Sequence, residues 1–199
     1  MTEESAHGRS AALGGRFDLE RVAAHLEIGD VLARYCQGVD RRDWQRVLSC
    51  YHPDAQDSHG MFVGSPAQLV EWMKVNHEHV SSCLHVMTNV QIEVSTEDPA
   101  LARAESYCLS HKIISSAEHD PFLRDSGVSG PIHRTIACRF VDTLENRPEV
   151  GWRILDRAVV YEWARIDPAD VFVPMDPALV YSRRDQDDLR YAPLRRRTL

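Results

Sequence analysis

The sequence predicts an α+β protein in which helices come first and an antiparallel sheet follows. Helical spacing of apolar residues dominates roughly the first 80 residues, whereas the second half holds long segments rich in β-branched and aromatic side chains. Short runs containing proline separate these segments. A few helices followed by a series of strands are typical of α+β architecture with an antiparallel sheet.

Three helices are predicted in the first part of the chain. Gly38 is expected to end the first helix, and Asp43 to cap a short second helix that carries Trp44. Ser65 is expected to cap the third helix, with Pro66 in its first turn. The first helix has apolar residues at a spacing of roughly three to four, namely Leu19, Val22, Leu26, Val31, Leu32 and Tyr35.

The strands follow, and they define one domain. Tyr51–Phe62 is a candidate for a first short strand. The long strand-like segments are Leu84–Val94, Ala102–Ser115, Ile132–Leu144 and Trp152–Arg165. We therefore expect a flexible arm over residues 1–16, a domain over 17–166, and an irregular tail over 167–199 that packs on the domain or on a neighbouring subunit.

Composition excludes several classes of function. The chain has 199 residues, with 30 acidic against 23 basic residues and a net charge of -7, which disfavours binding to nucleic acid or to an anionic membrane. No apolar run approaches the roughly 20 residues of a membrane helix, and the first residues lack a signal-peptide pattern, so a cytoplasmic protein is expected. The five cysteines contain no C-x-x-C pair and are expected to be reduced, mostly buried thiols.

Tyr35, Asp40 and His85 form the first candidate for chemistry. Tyr35 lies near the end of the first predicted helix, Asp40 just after it, and His85 at the start of a strand. A carboxylate bonded to one imidazole nitrogen raises the basicity of the other, and the pair can then move a proton to or from a substrate. The competing interpretation is a surface aspartate, a core tyrosine and a structural histidine.

Other histidines are weaker candidates. Strand alternation puts Tyr107, Leu109 and His111 on one face, and His111 binds substrate if that face lines a cavity. It is otherwise a half-exposed strand residue. His77 and His79 have no third ligand at a suitable spacing, so a solvated loop is expected there and neither a metal nor a cofactor is predicted.

Several short strings over residues 17–166 resemble the SnoaL-like branch of the NTF2-like superfamily. They occur in the order expected for that family. The strings are Tyr35-x4-Asp40, Tyr51-His52-Pro53-Asp54-Ala55, His59-Gly60-x-Phe62-x-Gly64, His85-x3-Asn89, Arg139-Phe140, Gly151-Trp152-Arg153-Ile154, Asp156-Arg157 and Val160-Tyr161-Glu162-Trp163.

This resemblance implies a cone-shaped barrel, in which a curved antiparallel sheet is closed by N-terminal helices around an apolar pocket. Relatives of this kind include scytalone dehydratase, bile-acid 7α-dehydratase and hexachlorocyclohexane dehydrochlorinase. By their positions, His85, Asp40 and Tyr35 are implied to be catalytic. The residues implied to bind substrate are His111, Arg157, Tyr51, Asn89 and Trp44.

The function expected from this resemblance is that of a cofactor-independent lyase. It would remove water, halide or a fragment such as formaldehyde from a hydrophobic alicyclic or aromatic substrate. One alternative is a ketosteroid-type isomerase or a polyketide cyclase; another is a non-catalytic ligand-binding protein or a partner like a dioxygenase β subunit. A homo-oligomer, dimer or trimer, is expected because curved sheets of this kind leave an apolar outer face to be covered.

Overall fold

The computed structural model describes residues 17–123, 126–171, 173 and 175–194, and the expected arm over residues 1–16 lies outside them. The helices are α1 (Leu19–Asp40), α2 (Trp44–Leu48) and α3 (Pro66–Asn76). The strands are β1 (Tyr51–Ser58), β2 (Val63–Gly64), β3 (Val80–Val94), β4 (Leu101–Ile114), β5 (Ile132–Arg147) and β6 (Gly151–Pro168). Single 3-10 turns cover Ala117–His119, Ala169–Val171 and Leu189–Tyr191.

Local capping explains where two of the helices start. The Asp43 carboxylate accepts a hydrogen bond from the backbone N–H of Arg46 at 3.1 Å, at the start of α2. Ser65 and Gln68 cap each other's backbone N–H groups at the start of α3, and Pro66 occupies the first turn. Both predicted caps are thus confirmed.

Gly38 does not end α1, contrary to prediction. The helix continues through Gly38 to Asp40, which is its last residue. A Cβ atom on Gly38 would lie 2.8 Å from Cγ2 of Val47 and 3.1 Å from its backbone nitrogen. Glycine is therefore needed here because α2 packs directly against α1, and this close approach fixes the turn that follows Asp40.

The strands form one six-stranded sheet in the order β2-β1-β6-β5-β4-β3. Its neighbouring strands are antiparallel, except that β1 runs parallel to β6, with Tyr51 opposite Ile154. The sheet is therefore mixed, whereas a fully antiparallel sheet was predicted. It is open, with β2 and β3 at its edges. A parallel pair requires a long crossover, which the chain between β1 and β6 provides.

The core lies between the helices and one face of the sheet. Ile28 and Leu32 of α1, Leu69 of α3, and Leu144 and Ile154 of the sheet all have no exposed surface. The alternation of the strands assigns the two faces of β4. The inner face carries the buried residues Ala102, Ala104, Ser106, Cys108 and Ser110, while Tyr107 and Leu109 are exposed on the outer face.

All five cysteines are buried and free of disulfides, as the sequence predicted. In the part of the chain that the structure describes, no helix has both the length and the apolar composition needed to cross a bilayer.

Candidate active site

A cavity lies between the inner face of the sheet and helices α1 and α3. Its volume is ≈ 60 Å³, which holds only a few water-sized molecules, so a ring-sized ligand requires lining side chains to move aside. The lining mixes apolar and polar side chains: Tyr35, Val39, His59, Trp72, Met73, His77, His85, Ser110, Lys112, Phe122, Arg134, Ile136, Cys138, Phe140, Val159 and Tyr161.

Asp40 and His85 are in direct contact at this cavity. The Asp40 Oδ1 atom lies 2.6 Å from Nδ1 of His85, and Oδ2 accepts a hydrogen bond from the His85 backbone N–H at 3.2 Å. The Asp40 carboxylate therefore joins the end of α1 to the edge strand β3, because it binds both the ring and the backbone of His85. Because Nδ1 is bonded to Asp40, Nε2 is the ring nitrogen left for a ligand.

The electrostatics of this pair favour a charged imidazole in the resting protein. Burial opposes protonation of His85, but Cys83 and Asp40 outweigh burial and raise its pKa well above the ordinary value. Burial also tends to raise the pKa of Asp40, yet the hydrogen bonds and charge of His85 hold it below the usual range. The two groups thus form an ion pair, with 9% and 8% of their side-chain surfaces exposed.

Tyr35 lies in the wall of the same cavity. Its ring makes edge-to-face contacts with Tyr51 and Phe140, each with centroids 5.9 Å apart, and the Arg157 guanidinium lies 4.2 Å from its centroid. Burial, together with the charge of Asp57, raises the pKa of Tyr35 well above its ordinary value. The phenol is therefore neutral and able to donate a hydrogen bond.

Two of the expected substrate-binding residues lie away from the cavity, one half-buried on the outer face of the sheet and one exposed on an edge strand. His111 is on the outer face of β4, where it contacts Thr135 Oγ1 at 3.1 Å and stacks on His133. Asn89 is exposed at a bulge of β3 and adopts a positive φ of 48°. His111 is therefore not among the residues that line the cavity in the described structure, because alternation groups residues by face without stating which face is inside.

The other three expected substrate-binding residues make contacts inside the protein. Arg157 is fully buried and pairs with both oxygens of Asp142, at 2.6 and 2.7 Å. Tyr51 donates its hydroxyl to Asp57 Oδ2 at 2.6 Å. Trp44 packs edge-on against His77, with ring centroids 5.8 Å apart. None of the three is among the residues that line the cavity in the described structure.

A second aspartate-bound histidine lines the cavity, and the sequence analysis did not single it out as a site. His59 Nδ1 lies 2.9 Å from Oδ1 of the fully buried Asp57. Burial tends to raise the pKa of Asp57, but the hydrogen bond and charge of His59 hold it below its usual range. The Asp-x-His spacing at the end of a predicted strand was a usable signal, since alternate strand residues share a face.

Lys112 and His77 are two further polar residues of the cavity lining that the sequence did not assign to the site. Lys112 follows Ser110 on the inner face of β4, and its Nζ lies 2.8 Å from Nε2 of His77. His77 was expected in a solvated loop but is only 3% exposed, because Lys112 and Arg184 enclose it. The C-terminal segment supplies Arg184, which also donates to the Asp40 carbonyl at 2.8 Å.

One group of described residues offers donor atoms for a metal ion. Ligand atoms of Asp40, Cys83 and His85 lie within 4.8 Å of one another. The Nδ1 atom of His85 is already bonded to Asp40 at 2.6 Å, so an ion bound through Nδ1 would have to replace that hydrogen bond. The arrangement therefore fits a proton-transfer pair better than a ligand set.

Comparisons with known proteins place this geometry in a family. A SnoaL-like domain matches over residues 20–158, whereas no curated protein matches the chain in sequence. Among solved structures, the hexachlorocyclohexane dehydrochlorinase LinA-type3 from Novosphingobium barchaimii LL02 aligns with a TM-score of 0.64 at 19% identity, over 80% of this chain and 100% of that chain.

Two further structures share the fold. A candidate scytalone dehydratase from Novosphingobium aromaticivorans aligns with a TM-score of 0.60 at 11% identity, over 73% of this chain and 89% of that chain. The Kfla4162 protein from Kribbella flavida aligns with a TM-score of 0.58 at 9% identity, over 72% of this chain and 94% of that chain. At such low identities these similarities establish the fold alone.

Proposed function

We propose that this chain, which belongs to the SnoaL-like family of the NTF2-like superfamily, is a cofactor-independent lyase. Its substrate would be a hydrophobic alicyclic or aromatic compound that loses water, halide or another small group. The binding site would be an apolar pocket that the sheet and the helices enclose in the shape of a cone. Two of the structurally similar proteins have names that denote a dehydrochlorinase and a candidate dehydratase, both of which describe eliminations.

The observation that carries the proposal is the 2.6 Å contact between His85 Nδ1 and Asp40 Oδ1 at the cavity wall. In its neutral form, the Nε2 atom of His85 would take a proton from a substrate carbon. The electron pair of the broken C–H bond would form the new double bond, and the bond from the adjacent carbon to the leaving group would break. Asp40 would stabilise the imidazolium that results.

The leaving group needs a proton donor when it departs as water. Tyr35 supports this role because its neutral hydroxyl belongs to a side chain that lines the cavity. His59 is a second donor in its protonated form, because Asp57 holds Nδ1 at 2.9 Å and Nε2 then also carries a proton.

The proposal is tested by replacing His85 with glutamine and Asp40 with asparagine. Turnover is measured on hydrophobic compounds that carry a halide or hydroxyl next to a C–H bond, beginning with hexachlorocyclohexane and scytalone. We expect His85→Gln to lower the rate by about 10²–10⁴, the usual contribution of general acid–base catalysis. The product mass, lower than that of the substrate by the lost group, separates elimination from isomerisation.

His111→Gln is the matched control, because it makes the same change on the outer face of the neighbouring strand. It should leave the rate unchanged. If His85→Gln folds normally and turns over as fast as the unchanged protein, the dyad is not the catalytic group and the proposal fails.

The protein is also proposed to form a homo-oligomer through the outer face of the sheet. That face exposes large apolar side chains on three strands, among them Leu84, Val86, Tyr107, Leu109 and Trp163. Contiguous apolar surface of this kind is typical of surfaces that pair with another protein chain. Symmetric pairing of copies would cover it.

A further inference from the structure

Lys112 is a lysine inside the cavity for which the elimination mechanism has no role. It is one of two lysines in the chain, and it lies on the inner face of β4 between Cys83 of β3 and Arg134 of β5. Its side chain lines the same cavity as His85. His85 pairs with Ser110 across the sheet. Lys112 is two residues beyond Ser110 on β4, and two residues of an extended strand span about 6.8 Å.

His77, whose ring lies against the Lys112 amine, cannot accept a hydrogen bond from it. The Nε2 atom of His77 lies 2.8 Å from Nζ of Lys112, while Arg184 donates to Nδ1 of the same ring at 2.9 Å. Burial, together with the charges of Lys112 and Arg184, lowers the pKa of His77 well below its ordinary value. A neutral imidazole that accepts at Nδ1 carries its proton on Nε2, so it offers a donor and no acceptor to Lys112.

The surroundings of Lys112 contain more positive than negative charge. In the described part of the chain, no carboxylate lies within 4 Å of the cationic groups of Lys112, Arg184 or Arg42. Arg42 and Arg184 instead donate to backbone carbonyls of residues such as Val80. Arg134 is neutralised by its ion pair with Asp120. A protonated Lys112 therefore has three N–H donors and, among the described residues, no carboxylate within 4 Å to receive them.

We propose that Lys112 binds an anionic oxygen group of the substrate, a carboxylate or ionised phenol attached to a ring that enters the cavity as lining side chains move aside. This inference rests on the proposed function and narrows its substrate class from hydrophobic compounds to small ring acids. The apolar lining, including Trp72, Phe122 and Phe140, packs against the ring, and the anionic group receives the N–H donors of Lys112. The reacting carbon would then lie near His85, beside Ser110.

Binding of benzoate and of uncharged benzamide tests this inference without any turnover. Both probes are titrated into the full-length protein at pH 7, with calorimetry and the intrinsic tryptophan fluorescence as readouts. The unchanged protein is expected to bind benzoate at least about tenfold more tightly than benzamide, because a charged hydrogen-bonded pair forms only with the acid. Lys112→Met keeps the length of the side chain without its charge, and it should abolish this preference.

Lys74→Met is the matched control, since Lys74 is exposed on α3 and pairs with Glu71 at 2.6 Å. It should keep the full preference for benzoate. Lys112→Gln, checked by circular dichroism, serves as a second variant if Lys112→Met does not fold. Equal binding of the two probes by the unchanged protein, no saturable binding of benzoate, or an unaltered preference in the Lys112 variants would overturn the inference.

The preference should also depend on pH. Burial and the neighbouring cations lower the pKa of Lys112 to about 8, so the free protein loses the charge, and the preference for benzoate weakens, as the pH rises through that region. The groups that face Lys112 from adjoining elements are Cys83, His77, Arg134, Arg184 and Asp120. These binding measurements involve no turnover. If they show no preference for benzoate, the turnover test of His85 is unaffected. If no elimination is detected, the binding result remains valid.

Discussion

At the level of single residues, the contact between Asp40 and His85 determines both the position and the charge of the imidazole. One carboxylate binds the ring nitrogen and the backbone nitrogen of the same residue, so the ring cannot rotate without breaking a bond to Asp40. The raised pKa of His85 and the lowered pKa of Asp40 mean that the resting pair is charged. A base in this position must first lose its proton.

This charge state predicts the pH dependence of the proposed reaction. If His85 removes a proton from the substrate, it must be neutral, so kcat/KM rises with pH. The midpoint should lie above the ordinary histidine value of about 6.5, because the pKa of His85 is raised in the folded protein. Initial rates across the neutral and alkaline range measure this profile.

Asp40→Asn provides the comparison for that profile. It removes the negative charge that stabilises the imidazolium, so the midpoint should move to lower pH while the maximum rate falls. A profile that falls with pH through the same midpoint would contradict the role of base and identify His85 as a proton donor.

Arg157 illustrates how a residue with a plausible role in sequence can serve the core instead. It was expected to bind substrate, but its guanidinium is fully buried, bonded to Asp142 and placed 4.4 Å from the ring centroid of Phe140. Burial disfavours the charge, yet Asp142 keeps the pKa of Arg157 well above its ordinary value. Its charge is therefore already compensated inside the protein.

At the level of secondary-structure elements, the crossing of α1 and α2 depends on Gly38. A side chain here would collide with Val47, so Gly38→Ala should lower the free energy of unfolding by about 1–3 kcal/mol, the usual cost of overpacking. Denaturant unfolding followed by circular dichroism measures this change. The turn that carries Asp40 to its contact with His85 should loosen as well.

Gly29→Ala is the matched control within the same helix. A Cβ atom at Gly29 meets nothing within 4 Å, so alanine should raise the free energy of unfolding by about 0.5–1 kcal/mol through helix propensity. Equal stabilities for the two variants would show that the contact between the helices does not require glycine.

Strand β4 shows how much depends on which face of an element is inside. Its inner face brings Ser110 and Lys112 to the cavity, whereas its outer face carries His111. The sequence alternation separates these two sets correctly. Only the packing of the helices against one side of the sheet decides which set meets the cavity.

At the level of the whole molecule, the outer face of the sheet predicts assembly. Tyr107 and Leu109 on β4 and Trp163 on β6 are between 38% and 53% exposed, and we expect them to be covered in a dimer or trimer. Light scattering of the unchanged protein should give a multiple of the monomer mass. Leu109→Glu combined with Tyr107→Glu should shift that mass to the monomer.

Leu26→Glu is the control for assembly, because Leu26 is 71% exposed on α1, which packs on the other side of the sheet. It should leave the mass unchanged. A monomer in the unchanged protein, or an oligomer that survives both β4 substitutions, would contradict the proposed interface.

The sequence by itself determined the class and order of the elements, and it singled out Asp40 and His85 for their contact. Helix caps such as Ser65 and Asp43 and the alternation of β4 are local, because they depend on residues a few positions apart. Periodicity also located β1 and the long strands. The order of the short strings that resemble the SnoaL-like family indicated the pair of Asp40 and His85, although the two residues lie 45 positions apart.

The tertiary structure alone decided which polar groups meet at the cavity. The parallel position of β1 beside β6 and the pairing of His77 with Arg184, 107 positions away, arise from packing between distant segments. Local sequence patterns carry no record of such contacts, since the free energy that selects them comes from burial of whole faces. For this reason, only the assembled sheet and helices showed that His59 and Lys112 line the same cavity as His85.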